Sequence, residues 1–173
     1  MKKYLLATAF VAATIYCNAQ DSLAKPKSFR VGIGLNADTR LTDNGAGKVW
    51  GIGISAQAEN RFSSFLSGFI SAGYTLLFST ESGASGTVGF IPIQAGPRFY
   101  LTDQVFCGAG LGLGIYIGQG SGAGFSETAF NYFPHIGYNS KATQVLLGYN
   151  ALRFSKYEVT EGFLELKVVF KLK

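Results

Sequence analysis

The feature that most constrains the fold is a strict two-residue alternation that runs from Ile91 to Ile117. In its first half, apolar residues occupy every second position, and polar residues such as Gln94 and Arg98 lie between them. In its second half, glycines separate the apolar residues. Successive side chains of a strand point to opposite faces, so this period predicts two strands joined by a tight turn at 102–104. Both are long enough to cross a bilayer, which takes about 9–11 residues.

The same alternation recurs along the chain and predicts eight strands. The predicted strands are residues 29–37, 49–60, 65–79, 91–101, 105–117, 128–138, 142–153 and 162–173. Their connections alternate between long and short, and the long ones are 38–48, 80–87, 119–127 and 154–161. Long loops on one side and short turns on the other are typical of membrane barrels. The sequence therefore predicts an all-β fold, an eight-stranded antiparallel up-and-down transmembrane β-barrel, as one domain over residues 21–173.

The first twenty residues have the layout of a secretory signal peptide. Lys2 and Lys3 precede an apolar run from Leu5 to Tyr16, and small and polar residues follow up to Gln20. The run is shorter than the about 20 residues of a membrane-spanning helix. We expect residues 1–20 to be removed, with cleavage after Gln20 or after Ala19.

Composition agrees with a barrel and argues against a nucleic-acid partner. The chain is 47% hydrophobic and contains 23 glycines, yet no long apolar run follows the leader. Without Lys2 and Lys3, 13 basic and 10 acidic residues remain, which leaves a net charge of +3. Such a mild charge predicts no binding to nucleic acid. Cys107 is the one cysteine left after cleavage, so no internal disulfide is expected.

Polar residues on the inward face are the candidate functional groups. The predicted interior polar network is Glu59, Arg98, Glu165, Lys167, Gln94 and His135. Further polar residues at inward positions are Arg30, Asn36, Gln57, Asn131, Gln144 and Asn150. Buried charges persist only when they are paired, and the interior of an eight-stranded barrel is just wide enough for side chains to fill. A side-chain plug is therefore expected, with a narrow channel for ions or small solutes as the alternative.

Aromatic residues and prolines add two local predictions. Aromatic side chains near the strand ends predict interfacial girdles, and the residues chosen for them are Trp50, Phe99, Tyr100, Tyr116 and Tyr138. Pro97 and Pro134 fall inside predicted strands, where a proline removes a donor from the ladder. Bulges or local breaks in the ladder are expected at both prolines.

Four segments together resemble a known family. They are IPIQAGPRFYL at 91–101, CGAGLG at 107–112, PHIGY at 134–138 and the closing strand up to Leu172. They resemble the small outer-membrane β-barrel proteins of the porin family, similar to the transmembrane domain of OmpA and to OmpX. The resemblance implies the outer membrane of a Gram-negative bacterium, contact with its lipids and insertion by the barrel-assembly machinery. One departure is the end of the chain, where Leu172 and Lys173 follow Phe170 in place of a terminal aromatic residue.

The expected role is structural, or binding of an unknown extracellular partner through the loops. A lipid-modifying barrel enzyme is less favoured, because the His-x-Ser spacing of such enzymes falls on His135 and Gly137. We therefore predict no enzyme activity, no cofactor and no metal site. A soluble lipocalin-like carrier has the same number of strands, but it would expose its polar face instead of its apolar one.

Overall fold

A computed structural model describes residues 28–41, 49–79, 87–120, 123–154 and 159–172. Its strands are β1 Ser28–Arg40, β2 Val49–Arg61, β3 Leu66–Ser79, β4 Thr87–Tyr100, β5 Val105–Gly120, β6 Ala123–Asn139, β7 Thr143–Phe154 and β8 Val159–Lys171. The predicted signal peptide and, within the predicted loops 38–48, 80–87 and 154–161, residues 42–48, 80–86 and 155–158 lie outside the described residues. In the described ranges, the chain has no helix that is both long and apolar enough to span a membrane.

The eight strands form one closed antiparallel barrel, in which each strand pairs with the next and β8 pairs with β1. The register followed once around the wall from Ser28 returns to β1 at Asp38, opposite Glu165, a displacement of ten residues. Strand number and stagger together determine the diameter of a barrel and the tilt of its strands. The strands are typically tilted by about 35–45° from the barrel axis. The predicted fold class is confirmed.

The two faces of the wall differ in polarity, as the alternation predicts. The outward side chains of Leu35, Ile54 and Leu111 are 55%, 61% and 59% exposed. The inward positions hold the buried polar and charged residues. An apolar exterior around a polar interior is the arrangement of a membrane barrel and the reverse of a water-soluble carrier.

Six of the eight strands extend further toward the loop end than the sequence predicts. The first strand continues to Arg40, and the hairpin of β5 and β6 is paired as far as Gly120 and Ala123. The prediction of a loop at 119–127 was therefore wrong. Glycine and serine have low strand propensity, but pairing to a neighbouring strand satisfies their backbone groups and overrides that preference. The extension brings Arg40 and Glu127 to inward positions.

The prolines interrupt the ladder without shifting its register. The pairing of β4 with β5 lacks the two positions 96 and 97, and that of β6 with β7 lacks 133 and 134, while the register is the same on both sides of each gap. Ladder breaks at Pro97 and Pro134 are thus confirmed, and bulges are absent there. A third break, between β3 and β4 beside Pro92, was not predicted. Each proline remains paired on its other side, opposite Gly68, Ala109 and Gly114 respectively.

Candidate functional site

The interior is divided into layers along the barrel axis. The turn end carries the connections 62–65, 101–104 and 140–142, and the loop end is the opposite one. The turn-side cluster comprises Gln57, Glu59, Ser67, Arg98, Tyr100, His135 and Gln144. The loop-side cluster comprises Asn36, Asp38, Thr75, Gln94, Asn131, Asn150, Glu165 and Lys167. Beyond it, an aromatic layer comprises Leu77, Phe90, Tyr116, Ala129, Leu152, Phe154 and Phe163.

Glu59 is the centre of the turn-side cluster. Its carboxylate lies 3.1 Å from Nη1 of Arg98. Glu59 is on β2 and Arg98 is on β4, so the two side chains meet in the interior, over β3. The carboxylate also accepts hydrogen bonds from Tyr100 at 2.6 Å, from Ser67 at 2.7 Å and from Gln144 at 2.7 Å. Because its donors come from β3, β4 and β7, this single carboxylate on β2 links four strands of the wall.

Arg98 is fully buried, with 1% exposure, and its donors are used on several sides. Its Nη2 donates to Gln57 at 2.8 Å, and its Nε donates to Nε2 of His135 at 3.2 Å. The guanidinium also lies over the ring of Phe69, 4.2 Å from the ring centre. Burial of a charge is tolerated when the charge is paired and hydrogen-bonded, and both conditions are met here.

His135 is a satisfied interior histidine. Its Nδ1 lies 3.1 Å from the carbonyl oxygen of Phe133, and its Nε2 accepts from Arg98. This pattern assigns the ring proton to Nδ1. Within the part of the chain that the structure describes, neither ring nitrogen contacts a serine or a carboxylate, so the His-based arrangement of a hydrolase is not formed there. The described residues also contain no group of three or more His, Cys, Asp or Glu side chains that could hold a metal ion.

The loop-side cluster is organised around a second ion pair. Oε1 of Glu165 lies 2.6 Å from Nζ of Lys167, two residues along the same strand. Asn150 donates to the other oxygen of Glu165 and accepts from Gln94 at 2.6 Å. The sequence suggested that the two ion pairs join in one network. Among the described residues, no hydrogen bond links Glu165 or Lys167 to the turn-side cluster.

Several polar atoms of the loop-side half have no partner. Asn36 donates to Asp38 at 2.6 Å and to Thr75 at 2.9 Å. In contrast, both side-chain polar atoms of Asn131 are buried without a hydrogen-bond partner, as is Oε1 of Gln94. The loop-side cluster is therefore less completely satisfied than the turn-side one.

The aromatic layer closes the barrel below its loop end. Tyr116 packs against Phe90 and Phe154, with ring centres 5.0 and 5.5 Å apart. Above this layer the wall encloses a cup with a volume of about 260 Å³. The cup is lined by Arg40, Val49, Leu77, Ser79, Val88, Tyr116, Glu127, Phe154, Glu161 and Phe163. The layer thus separates the cup from the polar clusters below.

The glycines of the wall make room for these bulky side chains. A methyl group on Gly108 would lie 2.7 Å from Nε2 of His135. Methyl groups on Gly137 and Gly148 would overlap the rings of Phe106 and Phe133. The glycine-rich strands therefore let the backbone approach the interior side chains closely.

The six residues predicted for the interior network are all buried inside the barrel, namely Glu59, Gln94, Arg98, His135, Glu165 and Lys167. Gln57, Gln144 and Asn150 stand at the predicted inward positions and contact members of that network. Sequence reasoning missed Asp38, which it assigned to a loop, and Ser67 and Tyr100. One more step of the alternation beyond Asn36 would have found Asp38.

The predicted interfacial aromatics divide into two groups. Trp50 and Tyr138 are 46% and 47% exposed on the outer face, and Phe99 is half-buried on the same face. The prediction was wrong for Tyr100 and Tyr116, which are 6% and 8% exposed and point inward. Tyr100 shares the face of Arg98, and its hydroxyl group donates to a buried carboxylate, which an interfacial position could not offer.

Comparison with known proteins reveals a fold shared with small outer-membrane barrels. No family model and no curated protein sequence matches the chain. Among solved structures, Ail of Yersinia pestis, in complex with the heparin analogue sucrose octasulfate, is 18% identical with a TM-score of 0.63, and the match covers 86% of this chain and 100% of Ail. Neisserial surface protein A is 18% identical with a TM-score of 0.56 at the same coverage. The N-terminal barrel domain of Pseudomonas aeruginosa OprF is 12% identical with a TM-score of 0.53, covering 85% of this chain and 100% of the domain.

This chain has the fold of the small eight-stranded membrane β-barrels. Its closed eight-stranded fold is that of the solved barrels, and its exterior is apolar where a bilayer would surround it.

Proposed function

We propose that the protein is inserted in the outer membrane as a closed barrel and presents its loop end to the exterior for a structural or binding role. The observation that carries this proposal is the filled interior. Arg98, Phe106 and Phe133 fill the interior on the turn side of the aromatic layer and are at most 1% exposed. The aromatic layer crosses the barrel a second time, above both polar clusters. A solute would have to displace both barriers, so a narrow channel is the less favoured function.

The lining of the interior also supports a non-catalytic role. His135 is held by Arg98 and by a backbone carbonyl group, and Glu59 is held by four donors. Groups fixed in this way are not available to a substrate, and the aromatic layer separates them from the cup. We therefore propose that the protein is not an enzyme.

The loop end is the part of the molecule suited to a binding role. Ail, a barrel of the same fold, was solved with a bound heparin analogue, so a small barrel of this kind accommodates a ligand. We propose that this chain binds an extracellular partner with its loop end. The proposal also includes removal of residues 1–20, insertion by the barrel-assembly machinery and a turn end that faces the periplasm.

Cell fractionation and surface labelling test this placement. We expect the mature protein in the outer-membrane fraction after carbonate extraction. An epitope tag inserted between residues 45 and 46 is expected to be labelled on intact cells, whereas one inserted between 103 and 104 is labelled only after lysis. Recovery in the soluble periplasmic fraction, or labelling of the turn-end tag on intact cells, would contradict the proposal.

The lipid-facing wall has a matched test of its own. Leu111 lies in the middle of β5 on the outer face, and Leu101 lies in the turn that precedes this strand. Leu111→Arg is expected to lower the free energy of unfolding in lipid by about 2–4 kcal/mol, because the charge enters the bilayer midplane. Leu101→Arg should cost less than about 1 kcal/mol near the interface. Equal costs for both substitutions would argue against a bilayer around β5.

A further inference from the structure

The cup at the loop end has the features of a ligand site. It holds about 260 Å³, and the ten residues that line it all stand at or near the loop ends of their strands. Its floor consists of the aromatic layer, in which Tyr116, Phe154 and Phe163 are at most 8% exposed. A concave space with an apolar base and a few charged groups on its wall is the usual form of a small-molecule site.

The charges of the described residues that line the cup do not balance. Nη2 of Arg40 lies 2.5 Å from Oε1 of Glu161, and this ion pair is neutral as a unit. Glu127 also lines the cup and stands opposite Tyr116 in the register of β5 and β6. No hydrogen bond or ion pair of Glu127 is formed with any residue in the described ranges. The described lining therefore carries one uncompensated negative charge.

The aromatic floor complements the same kind of ligand. The face of an aromatic ring attracts a cation, and the attraction strengthens when the cation is removed from water. Tyr116 and Phe154 pack against each other beside the charged groups. An inorganic cation would have to lose its hydration shell against this apolar surface and has no apolar body to bury there, while an anion would meet two carboxylates.

We propose that the cup binds a small organic cation, that is, an ammonium or guanidinium group on an apolar body. Glu127 pairs with the charge, and the rings of Tyr116 and Phe154 contact the apolar body. This inference rests on the proposed function, because it places the cup on the outside of the cell.

The volume limits the size of the ligand. The cup is smaller than the about 300–1,000 Å³ of pockets that hold drug-sized ligands. A single-ring amine fits this description, and so does the end of a lysine or arginine side chain presented by another polypeptide. These two sources share one chemistry and are separated by the probes below.

Calorimetric titration of the mature protein in lipid nanodiscs tests the inference. The probes are tyramine, its carboxylate counterpart 3-(4-hydroxyphenyl)propionate, and an N-acetylated tripeptide amide with arginine at its centre. We expect a cationic probe to bind at least tenfold more tightly than the carboxylate. Binding of tyramine alone assigns the cup to a free amine, and binding of the peptide alone assigns it to a protein partner. Equal affinity for tyramine and the carboxylate, or binding of neither cation, would overturn the inference.

Three variants locate the binding. Glu127→Gln removes the unpaired charge and is expected to weaken cation binding at least fivefold. Asp103→Asn makes the same charge change in a turn at the opposite end and should leave binding unchanged. Val88→Phe fills the cup and should abolish binding. Unaltered affinity in both Glu127→Gln and Val88→Phe would show that the cation binds elsewhere.

Nanodiscs expose both ends of the barrel, so this titration does not depend on how the protein is oriented in cells. Absence of binding in nanodiscs, together with correct surface labelling in cells, would remove the cup as a site and leave the proposed function intact. Failure of the labelling experiment would remove the proposed function, whatever the titration shows.

Discussion

The two polar clusters of the interior contain similar groups but hold them differently. Each has one ion pair, Glu59 with Arg98 on the turn side and Glu165 with Lys167 on the loop side. The carboxylate of Glu59 has four donors from three strands, whereas both polar atoms of Asn131 on the loop side have no partner. The turn-side cluster therefore holds several strands together, whereas the loop-side cluster mainly fills the interior between it and the aromatic layer.

The difference follows from how each pair is placed on the wall. Glu165 and Lys167 are two residues apart, so their side chains share a face of one strand and pair locally. Glu59 and Arg98 lie on strands that are not adjacent, and their contact crosses the interior. A local pair adds little to the closure of the barrel, but the pair of Glu59 and Arg98 links two strands that share no backbone hydrogen bonds.

Arg98→Ala should have the largest effect on stability. The substitution leaves Glu59 buried without its cation, and breaking a buried pair in this way costs about 3–5 kcal/mol. Lys167→Ala should cost less, because Lys167 makes only its ion pair with Glu165 among the described polar groups, whereas Arg98 also donates to His135, Gln144 and Gln57. Urea unfolding of both variants in the same detergent measures the difference. An equal or larger loss for Lys167→Ala would break the distinction between the clusters.

A double variant controls for the packing that Arg98 loses. Glu59→Gln combined with Arg98→Met removes both charges and retains most of the side-chain volume. Its cost should be smaller than that of Arg98→Ala, since no unpaired charge remains. A larger cost would show that packing, and not the ion pair, dominates.

Replacing an amide by leucine should have opposite consequences in the two clusters. Gln144 bonds to Glu59, Gln57, Arg98 and Asn139, so Gln144→Leu is expected to cost about 1–3 kcal/mol. Asn131 is fully buried and unpartnered, so Asn131→Leu should be neutral or stabilising. Thermal unfolding monitored by circular dichroism compares the two variants. A marked destabilisation by Asn131→Leu would contradict the account of the loop-side cluster.

The smallest expected effect concerns two buried tyrosines. The hydroxyl group of Tyr100 donates to Glu59 at 2.6 Å, while that of Tyr116 lies 3.5 Å from Glu161. Tyr100→Phe should cost about 1.5 kcal/mol, the value of a hydrogen bond to a charged group. Tyr116→Phe should change the free energy of unfolding by less than about 0.5 kcal/mol, because 3.5 Å is a weak hydrogen bond. A larger cost for Tyr116→Phe than for Tyr100→Phe would contradict the conclusion that the turn-side cluster is the more strongly hydrogen-bonded part of the interior.

The alternation of the sequence was sufficient to predict the faces of the wall, and with them the six interior residues. The alternation was not followed at Tyr100 and Tyr116. Both were assigned to the membrane interface because they are aromatic, although Tyr100 shares the face of Arg98. Arg40 and Glu127 were assigned to loops because turn-forming residues surround them, so the charged lining of the cup was missed.

The partners of the interior residues were beyond the reach of a single sequence. Which side chains meet across the barrel depends on the stagger of the strands, and the alternation is the same for every even shift of register. The displacement of ten residues around the wall decides that Arg98 meets Glu59 and Gln57. No local pattern encodes that number, so the two ion pairs were expected to form a single network.

Conductance across a planar lipid bilayer tests most directly whether the interior is closed. We expect no steady current from the unmodified mature protein at either polarity, because the turn-side cluster and the aromatic layer both block the axis. We also expect brief, irregular openings in Arg98→Ala, since water enters where the guanidinium was. A large, stable and ion-selective conductance from the unmodified protein would contradict the closed interior and establish the narrow channel in its place.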